Sequence, residues 1–260
     1  MVIQGPESAG SATSRAALVT GASRGIGRAT AIALAEAGVA VAVGYRQDDA
    51  AAAETVAAIR DVGRAAVALR EDLSAPGAPA RLVSRAFEQF GRLDILVANA
   101  GVLMAQPLLE TTIESYDLQN NTNARAVFFL VQAAARHMID GSGGGSIVLI
   151  SSDAAVKPFR GLGAYCISKA AVNMLARVAA AELGEYGIRV NVVAPGTTET
   201  DMNRELLADP ATREELLRSV VLGRPGSPLD VARAVCYLAS DAASFVTGAS
   251  IAVDGGSSAM

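Results

Sequence analysis

The 260-residue sequence has two cysteines, one histidine and no tryptophan, and its scarcities exclude several classes of protein. The cysteines, Cys166 and Cys236, fit neither a metal-ligand spacing nor a disulfide framework, which favours a reducing cytoplasm and no metal site. No basic block occurs and the net charge is −4, so no nucleic-acid interface is expected. No apolar run approaches the roughly 18 residues of a membrane span. His137 lies late in a predicted helix and is expected to be structural or exposed, not catalytic.

Residues 1–14 are small and polar and predict a flexible N-terminal lead-in without the order of a secretion signal. With 51% apolar and 18% charged residues, the chain is expected to be globular. Its length suits one large domain, so residues 15–260 are predicted to form a single domain with one core.

Short apolar runs alternate with helical patterns along nearly the whole chain. Strands are predicted at 17–20, 39–45, 65–70, 94–98, 146–151, 188–194 and 250–254, and helices at 28–38, 49–62, 79–91, 114–139, 163–186 and 229–239. The glycine-rich stretch 141–145 is expected to be a flexible loop. Continuous apolar strands indicate burial on both faces. The predicted fold is therefore α/β, a single doubly wound (Rossmann-type) parallel sheet with helices on both faces.

The segment TGASRGIG, residues 20–27, joins the first predicted strand to the first predicted helix. Gly21 suits a tight turn, Gly25 lets a backbone approach a pyrophosphate, and Gly27 permits close contact between helix and sheet. The helix N-terminus adds positive potential. The segment therefore predicts a phosphate-binding turn.

The end of the second strand bears on which dinucleotide fits. An acidic residue there would accept the ribose hydroxyl of NAD, but the strand ends in Tyr45 and Arg46 with no carboxylate until Asp48. Arg24, inside the glycine turn, is expected near the same corner, where two guanidinium groups would bind a phosphate. This pattern favours NADP(H), with NAD(H) as the less favoured alternative.

Lys169, one of only two lysines in the chain, follows Tyr165 by four positions. On a helix this spacing places both side chains on one face, so that they point into one cavity. The alternative interpretation is a snorkelling lysine beside a core tyrosine.

These motifs together resemble the short-chain dehydrogenase/reductase family over residues 15–256. TGASRGIG resembles the family's TGxxxGxG turn, and ANAG at 98–101 its NNAG segment, with Ala98 in place of the first asparagine. The Ser-Ser pair at 151–152, the NTNARAVF segment, the APGTTETDM stretch and the VTGASIAVDGG ending match further family motifs in order and spacing.

The resemblance implies four catalytic residues: Asn123, Ser152, Tyr165 and Lys169. Tyr165 would exchange a proton with the substrate oxygen, which Ser152 would hold, while Lys169 and the charge of the nicotinamide would lower the pKa of Tyr165 from its ordinary value near 10. Lys169 would also bind the nicotinamide ribose, and Asn123 would support a water that links Lys169 to solvent.

The resemblance also implies the residues of the cofactor site. These are Gly21, Ser23, Arg24, Gly25, Ile26, Gly27, Tyr45, Arg46, Asp72, Leu73, Asn99, Ala100, Gly101, Tyr165, Lys169, Pro195, Gly196, Thr198 and Thr200.

A small substrate lid is expected at about 197–222. Its apolar roof would contain Met202, Leu206, Leu207, Leu216 and Leu217, above a pocket lined by Val102, Met104, Ala154, Phe159 and Leu162, with Lys157 and Arg160 near the entrance.

Three functions stay open from the sequence. The first is an NADP(H)-dependent ketoreductase that resembles 3-oxoacyl-carrier-protein reductases and polyketide-type ketoreductases. The second is an NAD-dependent dehydrogenase of a cyclic alcohol or dihydrodiol, and the third is a dinucleotide-binding sensor without turnover. The family resemblance also implies a homotetramer, with a dimer as the alternative.

Overall fold

The computed structural model describes residues 15–200 and 208–259. The predicted lead-in at 1–14 lies outside these ranges, as do the lid residues Met202, Leu206 and Leu207. The strands are β1 (Ala16–Thr20), β2 (Ala40–Tyr45), β3 (Ala66–Arg70), β4 (Ile95–Ala98), β5 (Gly145–Ile150), β6 (Ile188–Pro195) and β7 (Ser250–Val253). The helices are α1 (Gly25–Glu36), α2 (Asp49–Asp61), α3 (Ala78–Phe90), α4 (Ile113–Asn120), α5 (Ala126–His137), α6 (Gly163–Leu183), α7 (Pro210–Leu217) and α8 (Pro228–Ala239).

The described strands form one parallel sheet in the order β3-β2-β1-β4-β5-β6-β7. From β1 the chain builds outward to one edge, and from β4 it builds outward to the other. The order therefore reverses between β1 and β4, and the carboxyl ends of the strands flank a crevice there, where open α/β sheets bind their ligands. The doubly wound fold predicted from the sequence is confirmed.

Apolar side chains cover both faces of the sheet. Helices α3, α5 and α6 pack on one face through residues such as Leu82, Leu130 and Val172. Helices α1, α2 and α8 pack on the other through residues such as Leu34, Ile59 and Val235. The strands β1 and β4 are buried along their whole length, as the continuous apolar runs predicted.

The predicted helix at 114–139 is interrupted. A π-helical turn (Asn121–Arg125) separates α4 from α5, and a second one (Met138–Ser142) follows α5. Periodicity alone does not reveal such a widened turn, because apolar residues continue on both sides of it. Widened turns of this kind frequently occur at functional sites.

The prediction of a flexible loop at 141–145 was wrong. Gly145 begins β5, and a Cβ at Gly144 would lie 2.9 Å from the carbonyl oxygen of Gly187. Gly144 also has a φ of +148°. Gly144 is therefore required by the close approach of Gly187 and by its own backbone conformation in the connection between α5 and β5.

His137 has the structural role predicted for it: its ring stacks on Phe87 with 4.5 Å between centroids, and its Nε2 lies 3.3 Å from the Ser84 hydroxyl. Among the described residues, no three His, Cys, Asp or Glu side chains are placed to hold a metal ion. The described helices include none that is both long and apolar enough to cross a membrane.

Candidate active site

The glycine turn between β1 and α1 is shaped by backbone crowding. Gly21 has a φ of +64°, and a Cβ at Gly27 would overlap the carbonyl oxygen of Gly21. No other residue type fits at Gly27 unless the turn moves. The residue before α1, Arg24, provides no side-chain cap, and the first turn of the helix contains no acidic residue. The backbone N–H groups at the start of α1 therefore face the crevice without a capping side chain, and the cradle fits a pyrophosphate.

Asn99 braces this turn from the end of β4. Its Nδ2 donates to the carbonyl oxygens of Thr20 at 2.9 Å and Gly21 at 3.2 Å. The backbone N–H groups of Asn99 and Ala100 both donate to the buried Thr20 hydroxyl at 3.0 Å. The side-chain amide of Asn99 thus supports the turn, while Ala98 occupies a buried position of β4 that requires no polar group.

Polar side chains collect at the end of β2, where the adenosine half of a dinucleotide would lie. The Asp48 carboxylate caps α2 by accepting from a backbone N–H at 2.9 Å. Asp49 accepts from the Tyr45 hydroxyl at 2.7 Å and lies 3.6 Å from Arg70. The hydrogen bond that the Tyr45 hydroxyl donates to Asp49 raises the pKa of Tyr45. Arg46 is exposed, and its guanidinium contacts the neighbouring Gln47 side chain at 3.4 Å.

Asp72 lies at the same corner, near Arg46. Its Oδ1 accepts from the Ser74 hydroxyl at 2.7 Å and from the Ser74 backbone N–H at 3.0 Å. The hydrogen bond from the Ser74 hydroxyl, and to a smaller extent the charge of Arg46, lower the pKa of Asp72. Leu73 is buried beneath it, and Arg24 is exposed at the glycine turn. The corner thus places the exposed guanidinium group of Arg46 near the carboxyl group of Asp72.

The segment that follows β6 lies over the glycine turn. Pro195 ends the strand, and the Thr198 hydroxyl donates to the carbonyl oxygen of Gly196 at 3.1 Å. A Cβ at Gly25 would lie 3.5 Å from the methyl group of Thr200. Thr200 therefore lies beside the start of α1, and Ser23 and Ile26 belong to the same part of the chain.

The π-helical turn places Asn123 inside the protein, with no exposed surface. Its Nδ2 donates to the Val102 carbonyl oxygen at 2.8 Å and to the Ser168 hydroxyl at 3.1 Å, while its Oδ1 accepts from the Val102 N–H at 2.8 Å. A Cβ at Gly101 would lie 3.2 Å from Asn123 Oδ1 and 3.5 Å from Lys169 Nζ. The structure therefore brings Asn123, Gly101 and Lys169 together.

Lys169 is 4% exposed, so the snorkelling alternative is excluded. Its Nζ donates to the Ile150 carbonyl oxygen at 2.9 Å and lies 5.6 Å from the centroid of the Tyr165 ring. Burial lowers the pKa of Lys169 to about 8. Tyr165 and Lys169 occupy one face of α6, as their spacing predicted.

Burial of Tyr165 opposes the lowering of its pKa that was expected from Lys169. Burial raises the pKa of Tyr165 to about 12, with a further upward contribution from the charge of Asp153, while a hydrogen bond with Ser152 lowers it. The Lys169 ammonium lies beside the ring and is hydrogen bonded to Ile150, so it does not offset the loss of solvation. Tyr165 is therefore protonated at neutral pH.

Ser152 follows β5 and is buried. Its hydroxyl donates to Asp153 Oδ1 at 3.0 Å and accepts from the Ala154 N–H at 3.2 Å. Asp153 Oδ2 accepts from the Ser257 hydroxyl at 2.8 Å. The sequence analysis did not identify Asp153 or Ser257. The signal available was an aspartate beside the predicted catalytic serine, but its partner lies 104 positions along the chain.

The described part of the predicted lid consists of its two ends and α7. Thr198 and Gly226 form a β-bridge at the base. Leu216 and Leu217 of α7 are partly buried. Lys157 does not stand free at the entrance, because its Nζ donates to the Ser257 carbonyl oxygen at 2.8 Å. Of the remaining predicted pocket residues, Ala154 is buried, Val102, Phe159 and Leu162 are partly buried, and Met104 and Arg160 are exposed.

Similarity to known proteins agrees with this geometry. The family model described as enoyl-(acyl carrier protein) reductase matches residues 21–258. L-rhamnose 1-dehydrogenase (NAD(P)(+)) of Sphingomonas sp. is 41% identical over 239 residues, which cover 92% of this chain and 94% of the relative. Versicolorin reductase 1 of Aspergillus parasiticus is 40% identical over 253 residues, covering 93% and 95%.

A crystal structure from Agrobacterium tumefaciens, which holds bound NADP, superposes with a TM-score of 0.87 at 34% identity, covering 95% of this chain and 97% of the other. Relatives of this kind are NAD(P)-dependent dehydrogenases and reductases that interconvert alcohols and ketones. The chain belongs to the short-chain dehydrogenase/reductase family and is an oxidoreductase acting on CH–OH and C=O groups.

Proposed function

We propose that the protein is an NADP(H)-preferring ketoreductase whose catalytic residues are Asn123, Ser152, Tyr165 and Lys169. The observation that carries this proposal is the convergence of Asn123 and Lys169 on Gly101, with Tyr165 beside Lys169 on α6. Only the dinucleotide supplies the hydride. The chain's own residues then have to hold the substrate oxygen and give it a proton.

Tyr165 suits the role of proton donor. Because burial raises its pKa to about 12, the phenol keeps its proton at neutral pH and can donate it to the oxygen of a carbonyl as that oxygen gains charge. Ser152 lies within hydrogen-bonding reach of Tyr165 and would hold the same oxygen. Lys169 would bind the ribose hydroxyls of the dinucleotide with its buried ammonium, and Asn123 would support the replacement of the proton through water.

The preference for NADP(H) is supported by the carboxylates near the end of β2. Asp48 is used as the cap of α2, and Asp49 is shared between Tyr45 and Arg70. Neither stands ready to accept from a ribose hydroxyl. The exposed guanidinium groups of Arg24 and Arg46 would instead bind a 2′-phosphate. The NADP bound to the Agrobacterium tumefaciens structure agrees with this preference.

A second candidate function is supported by the relative from Sphingomonas, whose name gives L-rhamnose as its substrate. It is the oxidation of a cyclic alcohol or a dihydrodiol with NAD. The ketoreductase is favoured because of the β2 corner and because versicolorin reductase is about equally similar. The third interpretation, a sensor without turnover, has no support among the residues of the site.

We also propose a homotetramer in the cytoplasm. Exposed apolar side chains on α4, α5 and α6 support the assembly: Ile113, Phe128, Ile167, Met174 and Val178. Two free cysteines, Cys166 and Cys236, agree with a reducing compartment.

A steady-state comparison tests the proposed function. NADPH and NADH oxidation would be followed with an acetoacetyl thioester and with cyclohexanone, and NADP⁺ and NAD⁺ reduction with L-rhamnose. The proposal predicts the highest kcat/KM for one of the ketones with NADPH, at least about tenfold above NADH, a difference of about 1.4 kcal/mol. Faster oxidation of L-rhamnose with NAD⁺ would establish the second candidate instead.

A further inference from the structure

Asp153 is a buried carboxylate that holds two hydroxyl groups from distant parts of the chain. Its Oδ1 accepts from the Ser152 hydroxyl at 3.0 Å and its Oδ2 accepts from the Ser257 hydroxyl at 2.8 Å. Only 8% of Asp153 is exposed. Because a carboxylate only accepts hydrogen bonds, both hydroxyl groups point toward Asp153, and the Ser152 proton would turn from Asp153 to the substrate oxygen when a carbonyl binds.

Ser257 belongs to a short segment after β7, the C-terminal turn (residues 254–258). Asp254 shapes this turn by accepting from the backbone N–H of Gly256 at 2.9 Å and of Ser258 at 2.8 Å. Lys157 donates to the Ser257 carbonyl oxygen at 2.8 Å. Ser257 is therefore fixed through both its side chain and its backbone.

The C-terminal turn also contacts the end of the lid. The backbone N–H of Leu222 donates to the Gly255 carbonyl oxygen at 3.1 Å. A Cβ at Gly256 would lie 2.9 Å from the side chain of Val221. The turn is thus packed between the lid and the loop that contains Asp153.

Because the Ser152 hydroxyl donates to Asp153, this hydroxyl group has little rotational freedom. The Ala154 N–H donates to one lone pair at 3.2 Å, which fixes the hydroxyl from a second direction. Ser152 also lies within hydrogen-bonding reach of Tyr165. The position of the Ser152 oxygen relative to Tyr165 therefore depends on the Asp153 carboxylate.

We propose that Asp153 is a positioning residue for Ser152 and that the C-terminal turn holds Asp153 through Ser257. This inference rests on the proposed function, since it takes Ser152 as a catalytic residue. Asp153 itself does not contact the substrate. The chain's last residues thereby contribute to the geometry of the active site, and Ser257 acts only through Asp153.

The test uses the ketone that the wild-type protein reduces faster, with NADPH. D153A is expected to lower kcat/KM about tenfold, as expected for the loss of a hydrogen bond to a charged group. D153N keeps an oxygen that accepts from Ser152 and an amide that donates to Ser257, so it should remain within about threefold of the wild type. The Kd for NADPH should be unchanged in both variants.

Ser257 is tested by a double-mutant cycle. S257A should lower kcat/KM by less than D153A does, and D153A/S257A should match D153A alone, because Ser257 acts through Asp153. S258A is the matched control: it removes a hydroxyl from the same turn that interacts with Asp254, not with Asp153, and should not change kcat/KM.

Three results would overturn the inference: equal losses in D153N and D153A, additive losses in the double variant, or a parallel loss of NADPH binding. S152A distinguishes the inference from the proposed function. If S152A keeps wild-type activity, the catalytic role of Ser152 is wrong. If S152A is inactive while D153A is fully active, only the positioning role is wrong.

Discussion

Gly101 separates Asn123 from Lys169, and a Cβ at this position would lie 3.2 Å from Asn123 Oδ1 and 3.5 Å from Lys169 Nζ. The two polar side chains belong to different helical segments, and their approach depends on the absence of a side chain between them. G101A should displace the Asn123 carboxamide and lower kcat/KM about tenfold, about 1.4 kcal/mol. G184A is the control, because its position is helical with nothing within 4 Å of the added Cβ. Equal activity of G101A and the wild type would contradict this arrangement.

The buried ammonium of Lys169 predicts a pH-dependent stability. Burial lowers its folded-state pKa to about 8, whereas the unfolded chain has the ordinary value of 10.5. Between these values the unfolded state binds more protons, so the stability of the folded state rises with pH through this window. From pH 7 to pH 10 this gain should be about 2 kcal/mol.

Urea unfolding of the wild type and K169M at pH 7 and pH 10 would measure this gain in the free energy of unfolding. The gain of the wild type relative to K169M is the relevant quantity, because other titrating groups are common to both proteins. Tyr165 contributes in the opposite direction above pH 10, since its folded-state pKa is about 12, and the comparison therefore ends at pH 10. Parallel stability curves for the two proteins would show that Lys169 is not buried as a cation.

Arg46 should distinguish between the two dinucleotides. R46A should raise the Kd for NADPH about tenfold and leave the Kd for NADH unchanged, because only the 2′-phosphate is expected to contact the guanidinium. Fluorescence titration of the nicotinamide measures both constants, and the lack of tryptophan keeps the protein's own emission low. R64A serves as the control, since Arg64 precedes β3 and lies at the opposite end of the strands. If R46A weakens both dinucleotides equally, the proposed phosphate site is wrong.

The exposed apolar side chains of α5 and α6 should be covered in the assembled protein. F128E/M174E should convert a tetramer into smaller species, since each charge would be buried without a partner. Light scattering after size-exclusion chromatography gives the mass directly. V62E, at an exposed apolar position at the end of α2, should leave the mass unchanged. An unaltered tetramer in F128E/M174E would place the interface elsewhere.

The sequence predicted the fold and the cofactor turn closely because both depend on local patterns. Apolar strands, the residues that begin and end helices, and the glycines of residues 20–27 are properties of short segments. Apart from the interrupted helix at 114–139, the structure places the predicted strands and helices within a few residues of their predicted bounds. The spacing of Tyr165 and Lys169 likewise gave their common face.

Features that depend on long-range contacts could not be predicted in this way. The pKa of Tyr165 is raised chiefly by burial among elements far apart in the chain, which the local spacing of Tyr165 and Lys169 does not reveal. The contact between Asp153 and Ser257 joins residues 104 positions apart, and nothing in the local sequence of Asp153 indicates this partner. The π-helical turn at Asn123 is hidden because a single widened turn hardly changes an apolar period.

Tyr165 is proposed to carry out proton transfer, whereas binding of the dinucleotide should not require the Tyr165 hydroxyl. The most direct test compares NADPH binding and NADPH-dependent ketone reduction in the wild type and Y165F. The Kd values of the wild type and Y165F for NADPH should lie within about threefold of each other, whereas Y165F should lose turnover about a thousandfold. Turnover by Y165F above a tenth of the wild-type rate would contradict the account.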